Sequence, residues 1–161
     1  MAGYDLGAVT ALVVDDAYNM RRLLSTILTA LGVRRVLTAS NGEEALAALH
    51  GPVDVVFTDY LMEPMDGMAL TRRIRDEATS PKPFVPVIMV TGHATPETVA
   101  AAREAGVTEF LVKPVSVKTV AARLTAVIDH PRPFVRQAGF FGPDRRRRVA
   151  SFEVERRGGE A

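Results

Sequence analysis

The feature of this sequence that most constrains its fold is a regular alternation of short apolar runs with segments of helical periodicity. Five apolar runs recur at fairly even spacing, at 11–14, 35–38, 53–57, 85–90 and 107–112. Most are apolar throughout rather than alternating with polar residues, which is typical of strands covered on both faces. The pattern predicts an α/β fold in which a parallel sheet of five strands is covered by helices on both sides.

The segments between the runs carry helix signals. The first has an apolar stripe with i, i+3, i+4 spacing that ends at Gly32. Ser40 and Glu43 have the spacing of a capping box and predict the start of the second helix. Thr95 followed by Pro96 predicts the start of the fourth helix, and Ser116 the cap of the fifth. The sequence therefore predicts five consecutive units, each a strand followed by a helix.

The pattern ends at about residue 130. Prolines and glycines after this point exclude a long helix, and residues 145–148 are four consecutive arginines. We therefore predict a domain over 8–130 and a basic C-terminal tail over 131–161 that contains Phe134, Phe140, Phe141 and Phe152. Two interpretations of the tail stay open: a solvated extension, or a segment whose aromatic residues dock on a partner or pack back on the domain.

Composition excludes several classes of protein. The chain has no cysteine, which excludes disulfides, thiolate nucleophiles and cysteine-based metal sites. No apolar run approaches the length of a membrane span, and the first seven residues lack the character of a signal peptide. We expect a cytoplasmic protein.

Acidic, hydroxyl-bearing or basic residues follow four of the five predicted strands. Asp15 and Asp16 follow the first strand, Asp59 the third, Thr91 the fourth and Lys113 the fifth. In an open parallel sheet, ligands bind outside the carboxyl ends of the strands. These side chains are therefore expected to meet at one rim.

Three carboxylates at one place repel one another unless a cation is present. An all-oxygen ligand set without histidine or cysteine favours Mg²⁺. Lys113 and the hydroxyl of Thr91 would then hold the oxygens of a phosphoryl group beside Asp59. These residue types predict that Asp59 is a nucleophile that forms an acyl phosphate.

The order and spacing of four motifs resemble the receiver domain of two-component response regulators. The motifs are the acid pair after strand one, D-Y-L-M-E-P-M-D-G at 59–67, V-T-G at 90–92 and F-L-V-K-P at 110–114. The resemblance covers about 8–130 and identifies the chain as similar to the stand-alone, CheY-like type. It implies a flavodoxin-like fold, a (βα)5 three-layer sandwich with strand order 2-1-3-4-5.

The resemblance also implies roles for individual residues. Asp59 would be the phosphoacceptor, and Asp16 and Asp59 direct Mg²⁺ ligands. Asp15 would act through a metal-bound water, and the backbone carbonyl of Leu61 would complete the protein ligands. Lys113 would contact the phosphoryl oxygens.

Two further positions belong to the switch that the resemblance implies. Thr91 would move toward the phosphoryl group, and the ring of Phe110 would then turn inward and reshape the surface of helix four, strand five and helix five. The Lys113-Pro114 peptide bond would be cis. The chain departs from many family members in having Glu63, not proline, four residues after Asp59, and it has His93 two residues beyond Thr91.

The function implied is a single-domain response regulator that takes a phosphoryl group from a histidine kinase or a histidine phosphotransfer protein and then binds an effector protein. It is not an enzyme acting on an external substrate. A phosphate sink or shuttle stays open, as does a homodimer through helix four, strand five and helix five.

Two rivals come from other classes of protein. A haloacid-dehalogenase-type phosphatase would need a second aspartate at position 61, where this chain has leucine. A nucleic-acid or membrane adaptor driven by the arginine block has little support, because the block is short and there is no helix-turn-helix pattern.

Overall fold

The computed structural model describes residues 5–146. Its elements, after a short 3₁₀ turn at Leu6–Ala8, are β1 (Thr10–Val14), α1 (Tyr18–Ala30), β2 (Arg35–Ala39), α2 (Gly42–Ala48), β3 (Val55–Asp59), α3 (Gly67–Arg75), β4 (Val87–Thr91), α4 (Pro96–Ala105), β5 (Glu109–Val112), α5 (Val117–Asp129), β6 (Phe134–Gln137) and β7 (Phe140–Pro143). No helix within 5–146 is long and apolar enough to cross a membrane.

The first five strands form one parallel sheet in the order β2-β1-β3-β4-β5, as predicted. Every residue of β1, β3 and β4 is buried, which matches their continuous apolar sequences. The outer strands β2 and β5 are partly exposed because each has a neighbour on one side only. The prediction of burial on both faces therefore holds for the three central strands.

Helices cover both faces of the sheet. On one face, Leu24 and Leu28 of α1 and Leu124 of α5 pack against strand residues such as Phe57. On the other face α2 and α3 pack against β1 and β3, with Leu70 at the centre. A smaller cluster, in which Ala102 and Ala105 of α4 meet Met68 and Met89, lies beside β5.

The helix starts follow local capping chemistry. The hydroxyls of Thr95 and Ser116 accept N–H groups of the first turns of α4 and α5, as predicted. The prediction for α2 was wrong by one residue. Asn41 is the cap, because its side chain accepts the N–H of Glu44, and it is the carboxylate of Glu44, not Glu43, that reaches back to the N–H and hydroxyl of Ser40.

Beyond α5, strands β6 and β7 pair antiparallel and form a hairpin. Its turn contains Gly139 at φ 75°, a left-handed conformation that favours glycine. The hairpin packs back on the domain, which was one of the two interpretations left open for the tail. Phe152 and the last two arginines of the 145–148 block lie outside the described residues.

Candidate functional site

The sheet topology brings the predicted polar residues together at one rim. Neighbouring strands β1 and β3 end side by side, since Val14 pairs with Thr58. Thr91, the last residue of β4, pairs with Val112 and thus lies beside the start of the 113–116 loop. The acids after β1 and at the end of β3 therefore share one rim with Thr91 at the end of β4 and with Lys113, which follows β5.

Three carboxylates form the acidic part of the site. Asp15, Asp16 and Asp59 each place an oxygen within 4.8 Å of the others. Asp15 and Asp59 are buried, whereas Asp16 is exposed. Two buried acids and one solvent-facing acid therefore share one small volume.

The two carboxylate oxygens of Asp15 differ in their hydrogen bonding. Its Oδ1 accepts the N–H of Ala17 at 2.8 Å. Its Oδ2 is buried and has no hydrogen-bond partner within the described residues. Burial raises the pKa of the Asp15 carboxyl, and the charge of Asp59 adds to the rise, while the Ala17 N–H and Lys113 oppose it. An orphaned buried carboxylate oxygen in an all-oxygen cluster fits a hard divalent cation such as Mg²⁺.

Asp59 is held by donors from two sides. The ammonium Nζ of Lys113 lies 3.1 Å from Asp59 Oδ1, and the N–H of Tyr60 donates to the same oxygen at 2.9 Å. Lys113 is itself positioned by its backbone, because its N–H donates to the Thr91 carbonyl at 2.9 Å. The Lys113-Pro114 bond is cis, as the resemblance implied, and so is Glu63-Pro64.

The segment 60–66 after β3 is closed by a short backbone contact. The N–H of Gly67 donates to the Tyr60 carbonyl at 2.8 Å. A Cβ at Gly67 would lie 2.2 Å from the backbone oxygen of Asp59, so only glycine fits there. Asp66 then caps α3 by accepting the N–H of Ala69. The side chain of Leu61 points to solvent and is 56% exposed; the role of its carbonyl stays a prediction.

The two predicted switch residues occupy different environments. Thr91 is buried, and its hydroxyl accepts the N–H of His93 at 2.9 Å. Phe110 is partly buried and packs against the cluster that contains Ala102 and Ala105 of α4. Phe110 is the second residue of β5, which ends at Val112, directly before Lys113. Its switching stays a prediction.

The charged side chains that the sequence predicted for the site lie together in the structure, but the backbone donors beside them were missed. The N–H groups of Ala17 and Tyr60 have no signal in residue type, since every residue except proline carries one. Gly67 was visible as the last residue of a motif. The close approach that requires glycine there is visible only in three dimensions.

Comparison with known proteins gives concordant results. The profile of the family described as response regulator receiver domain matches residues 11–125. Chemotaxis protein CheY1 of Helicobacter pylori is 34% identical over 119 residues, which are 73% of this chain and 94% of that protein. The probable transcriptional regulator ycf27 of Guillardia theta is 37% identical over 118 residues, 73% of this chain and 44% of that protein.

Among solved structures, chemotaxis protein CheY4 of Vibrio cholerae matches with a TM-score of 0.68 and 32% identity, over 74% of this chain and 98% of that chain. Nearly all of the CheY4 chain is thus covered, while about a quarter of the present chain is not. The family match ends at residue 125, before the hairpin of β6 and β7.

Proposed function

Because the chain belongs to the response regulator receiver domains, the signalling modules of two-component systems, we propose that it accepts a phosphoryl group on Asp59. The donor is the phosphohistidine of a sensor kinase or of a phosphotransfer protein. The observation that carries the proposal is the pairing of Asp59 with Lys113 at 3.1 Å, inside a cluster of three carboxylates. An aspartate with a purely structural role at the end of a strand needs neither a paired lysine nor two neighbouring carboxylates.

The transfer balances without a further reactant. A carboxylate oxygen of Asp59 attacks phosphorus, and the bond between phosphorus and the imidazole nitrogen breaks. That nitrogen keeps the electron pair and takes up a proton from solvent. Oδ1 is held by Lys113 and by the N–H of Tyr60, which favours Oδ2 as the attacking atom. Lys113 and the Thr91 hydroxyl then stabilise charge on the phosphoryl oxygens.

Mg²⁺ would be held by Asp15, Asp16, Asp59 and the backbone carbonyl of Leu61. The ion supplies positive charge that offsets the repulsion between the carboxylates and the incoming phosphoryl group. The orphaned Oδ2 of Asp15 supports this assignment. Burial and the charge of Asp59 raise the pKa of the Asp15 carboxyl, and a bound cation would favour its ionised form.

The surface around the site suits a protein donor. Six large apolar side chains are exposed in the described part of the chain, and four of them lie at the rim: Tyr18, Leu61, Val112 and Val117. Exposed apolar side chains beside a charged centre are typical of a protein-binding surface. This supports transfer from a protein partner that covers the rim and excludes water from the reaction.

The output is a change in a protein-binding surface. Phe110 of β5 lies three residues before Lys113 and packs against a cluster that includes Ala102 and Ala105 of α4, which supports a phosphorylation-dependent shift in the population of two arrangements of this surface. An effector protein or a second copy, bound through α4, β5 and α5, would read that shift. In a phosphate sink or shuttle, the same transfer would occur without an effector.

The direct test is incubation with Mg²⁺ and phosphoramidate, a small donor that has the phosphorus–nitrogen bond of phosphohistidine. Intact mass should show one labile phosphoryl group on the wild type and on the control Asp129→Asn, whose side chain is exposed at the end of α5. Asp59→Asn should show none. An adduct on Asp59→Asn as large as on the wild type would refute the assignment.

A further inference from the structure

The hairpin of β6 and β7 lies at the end of the sheet opposite Asp59. Arg132, which precedes it, pairs with Glu109, the first residue of β5, at 3.4 Å. Within the hairpin, Gly142 approaches Gly106 so closely that a Cβ on Gly142 would lie 3.3 Å from the Gly106 Cα. Gly106 ends α4. The hairpin therefore covers the last turn of α4 and the beginning of β5.

An unusual buried arginine ties the hairpin to the domain. The guanidinium of Arg75 donates to the carbonyls of Gly106, Pro83 and Val85 at 3.0, 2.9 and 2.6 Å, and to the Thr108 hydroxyl at 3.3 Å. No carboxylate in the described residues pairs with it. Burial lowers the pKa of Arg75 to about 9, still above neutral pH, so it stays charged.

The hairpin supplies the missing side of this arginine site. The ring of Phe134 lies over the guanidinium of Arg75, 4.9 Å from the ring centroid. Phe134 and Phe141 also pack on Phe84 of the α3–β4 loop, with centroids 5.1 and 5.4 Å from it. A cation over an aromatic face is stabilised most when both are shielded from water. The hairpin is thus part of the packing around Arg75.

Ion pairs extend the same contact to α4. Arg145 pairs with Glu104 in the last turn of α4 and also stacks on the Phe140 ring of the hairpin, 4.1 Å from its centroid. Arg136 pairs with Glu77, just beyond α3. Arg146, by contrast, pairs with Asp144 of its own segment at 3.3 Å. These arginines of the described tail therefore form ion pairs within the molecule.

Helix α4 needs such contacts because it is weakly anchored in the core. Its buried residues are two alanines, Ala102 and Ala105. Helices α1 and α5 each bury three leucine, isoleucine or valine side chains. Free energy from burial scales with apolar area, so two methyl groups contribute far less than three large side chains. The hairpin adds contacts at the end of α4 where the core contributes only these two alanines.

Both α4 and β5 run between the hairpin and the phosphorylation site. α4 begins five residues after Thr91 and ends at the hairpin. β5 begins at Glu109 beside the hairpin and ends next to Lys113. We propose that the docked hairpin holds α4 and β5 in the arrangement of the unphosphorylated protein, so that hairpin docking and phosphorylation of Asp59 oppose each other. The inference rests on the proposed function and adds its regulation by this chain's own tail.

Reciprocity makes the coupling measurable from either side. If occupancy of the Asp59 site weakens hairpin docking by a given factor, the undocked protein must bind at the site more tightly than the docked protein by the same factor. The probe is beryllofluoride with Mg²⁺, which mimics a phosphoryl group on a carboxylate. Hydrogen exchange of residues 134–143, followed by mass spectrometry, should be faster with the probe than without it. Unchanged or slower exchange would overturn the proposal.

Arg145→Ala tests the opposite direction and has a matched control. It should bind beryllofluoride about fivefold more tightly than the wild type, at the low end of known coupling factors. Arg146→Ala removes the same charge from the neighbouring residue but no contact with α4, and its affinity should be unchanged. The charge exchange Glu104→Arg with Arg145→Glu should restore wild-type affinity. Equal affinity of the two alanine variants would refute the coupling.

The outcomes separate this inference from the proposed function. If neither the wild type nor any hairpin variant binds beryllofluoride or takes up phosphate on Asp59, the proposed function has failed. If the wild type binds the probe but hairpin exchange does not respond, only the coupling has failed.

Discussion

The contact between Gly67 and the backbone of Asp59 gives the sharpest structural prediction. In Gly67→Ala the new Cβ would start 2.2 Å from the Asp59 oxygen and 3.1 Å from the Met89 methyl group. Real Cβ atoms essentially never come closer than 3.0 Å to such a neighbour, so either β3 or the start of α3 must move by 0.8 Å or more. Both elements carry the site, and the opposing atom is rigid backbone.

The displacement should lower both the stability of the protein and the rate of its phosphorylation. Overpacking of this kind costs about 1–3 kcal/mol of the free energy of unfolding. For a chain of this size, 3 kcal/mol lowers Tm by roughly 6–12 °C. Because a misplacement of about 1 Å can cost 10²-fold in rate, phosphorylation of Asp59 should also slow by about that factor.

Thermal unfolding followed by circular dichroism measures the first effect, and intact mass against time with phosphoramidate and Mg²⁺ the second. Gly51→Ala is the control, because its Cβ would make only one ordinary contact, 3.5 Å from the Ala48 oxygen. If Gly67→Ala unfolds and is phosphorylated like Gly51→Ala, the close approach described here is wrong.

Three further predictions follow from the site and the hairpin. Lys113→Ala removes the cation 3.1 Å from Asp59 and should slow phosphorylation by about 10²-fold, measured by intact mass; an unchanged rate would exclude Lys113 from the reaction. Asp15→Asn should raise Tm in EDTA at pH 7.5, because burial raises the pKa of Asp15 and ionising it opposes folding. This gain in Tm should shrink as the pH falls through the raised pKa of Asp15, because the wild-type carboxyl then becomes neutral as well. A gain in Tm that grows as the pH falls would contradict the raised pKa. Phe134→Leu keeps an apolar side chain but removes the ring over Arg75, and urea unfolding should show a loss of about 1–2 kcal/mol; no loss would mean that the ring does not stabilise Arg75.

The sheet and the charged residues of the site were predictable from the sequence for one physical reason. Parallel strands share a carboxyl edge, so residues that follow different strands meet there whatever their distance along the chain. Asp15 and Lys113 are far apart in sequence yet both lie in the site. The third strand was placed too early, because Val53 is buried without belonging to the ladder and the strand extends to Asp59 itself.

The hairpin could not be predicted in the same way. Its prolines and glycines excluded a helix but specified no partner, and its arginines were equally compatible with solvent. Arg75 illustrates the limit. In sequence it is one of three arginines in the last turn of α3, where a positive charge is favoured by the helix dipole alone. Only the fold shows that it is buried beneath Phe134.

The most direct test of the central claim is to locate the phosphoryl group chemically. Borohydride reduces an aspartyl phosphate to homoserine and leaves an unmodified aspartate intact. After incubation with phosphoramidate and Mg²⁺, reduction and peptide mapping should give homoserine at position 59 and at neither Asp15 nor Asp16. Homoserine at one of those two positions, or none at 59, would contradict the account.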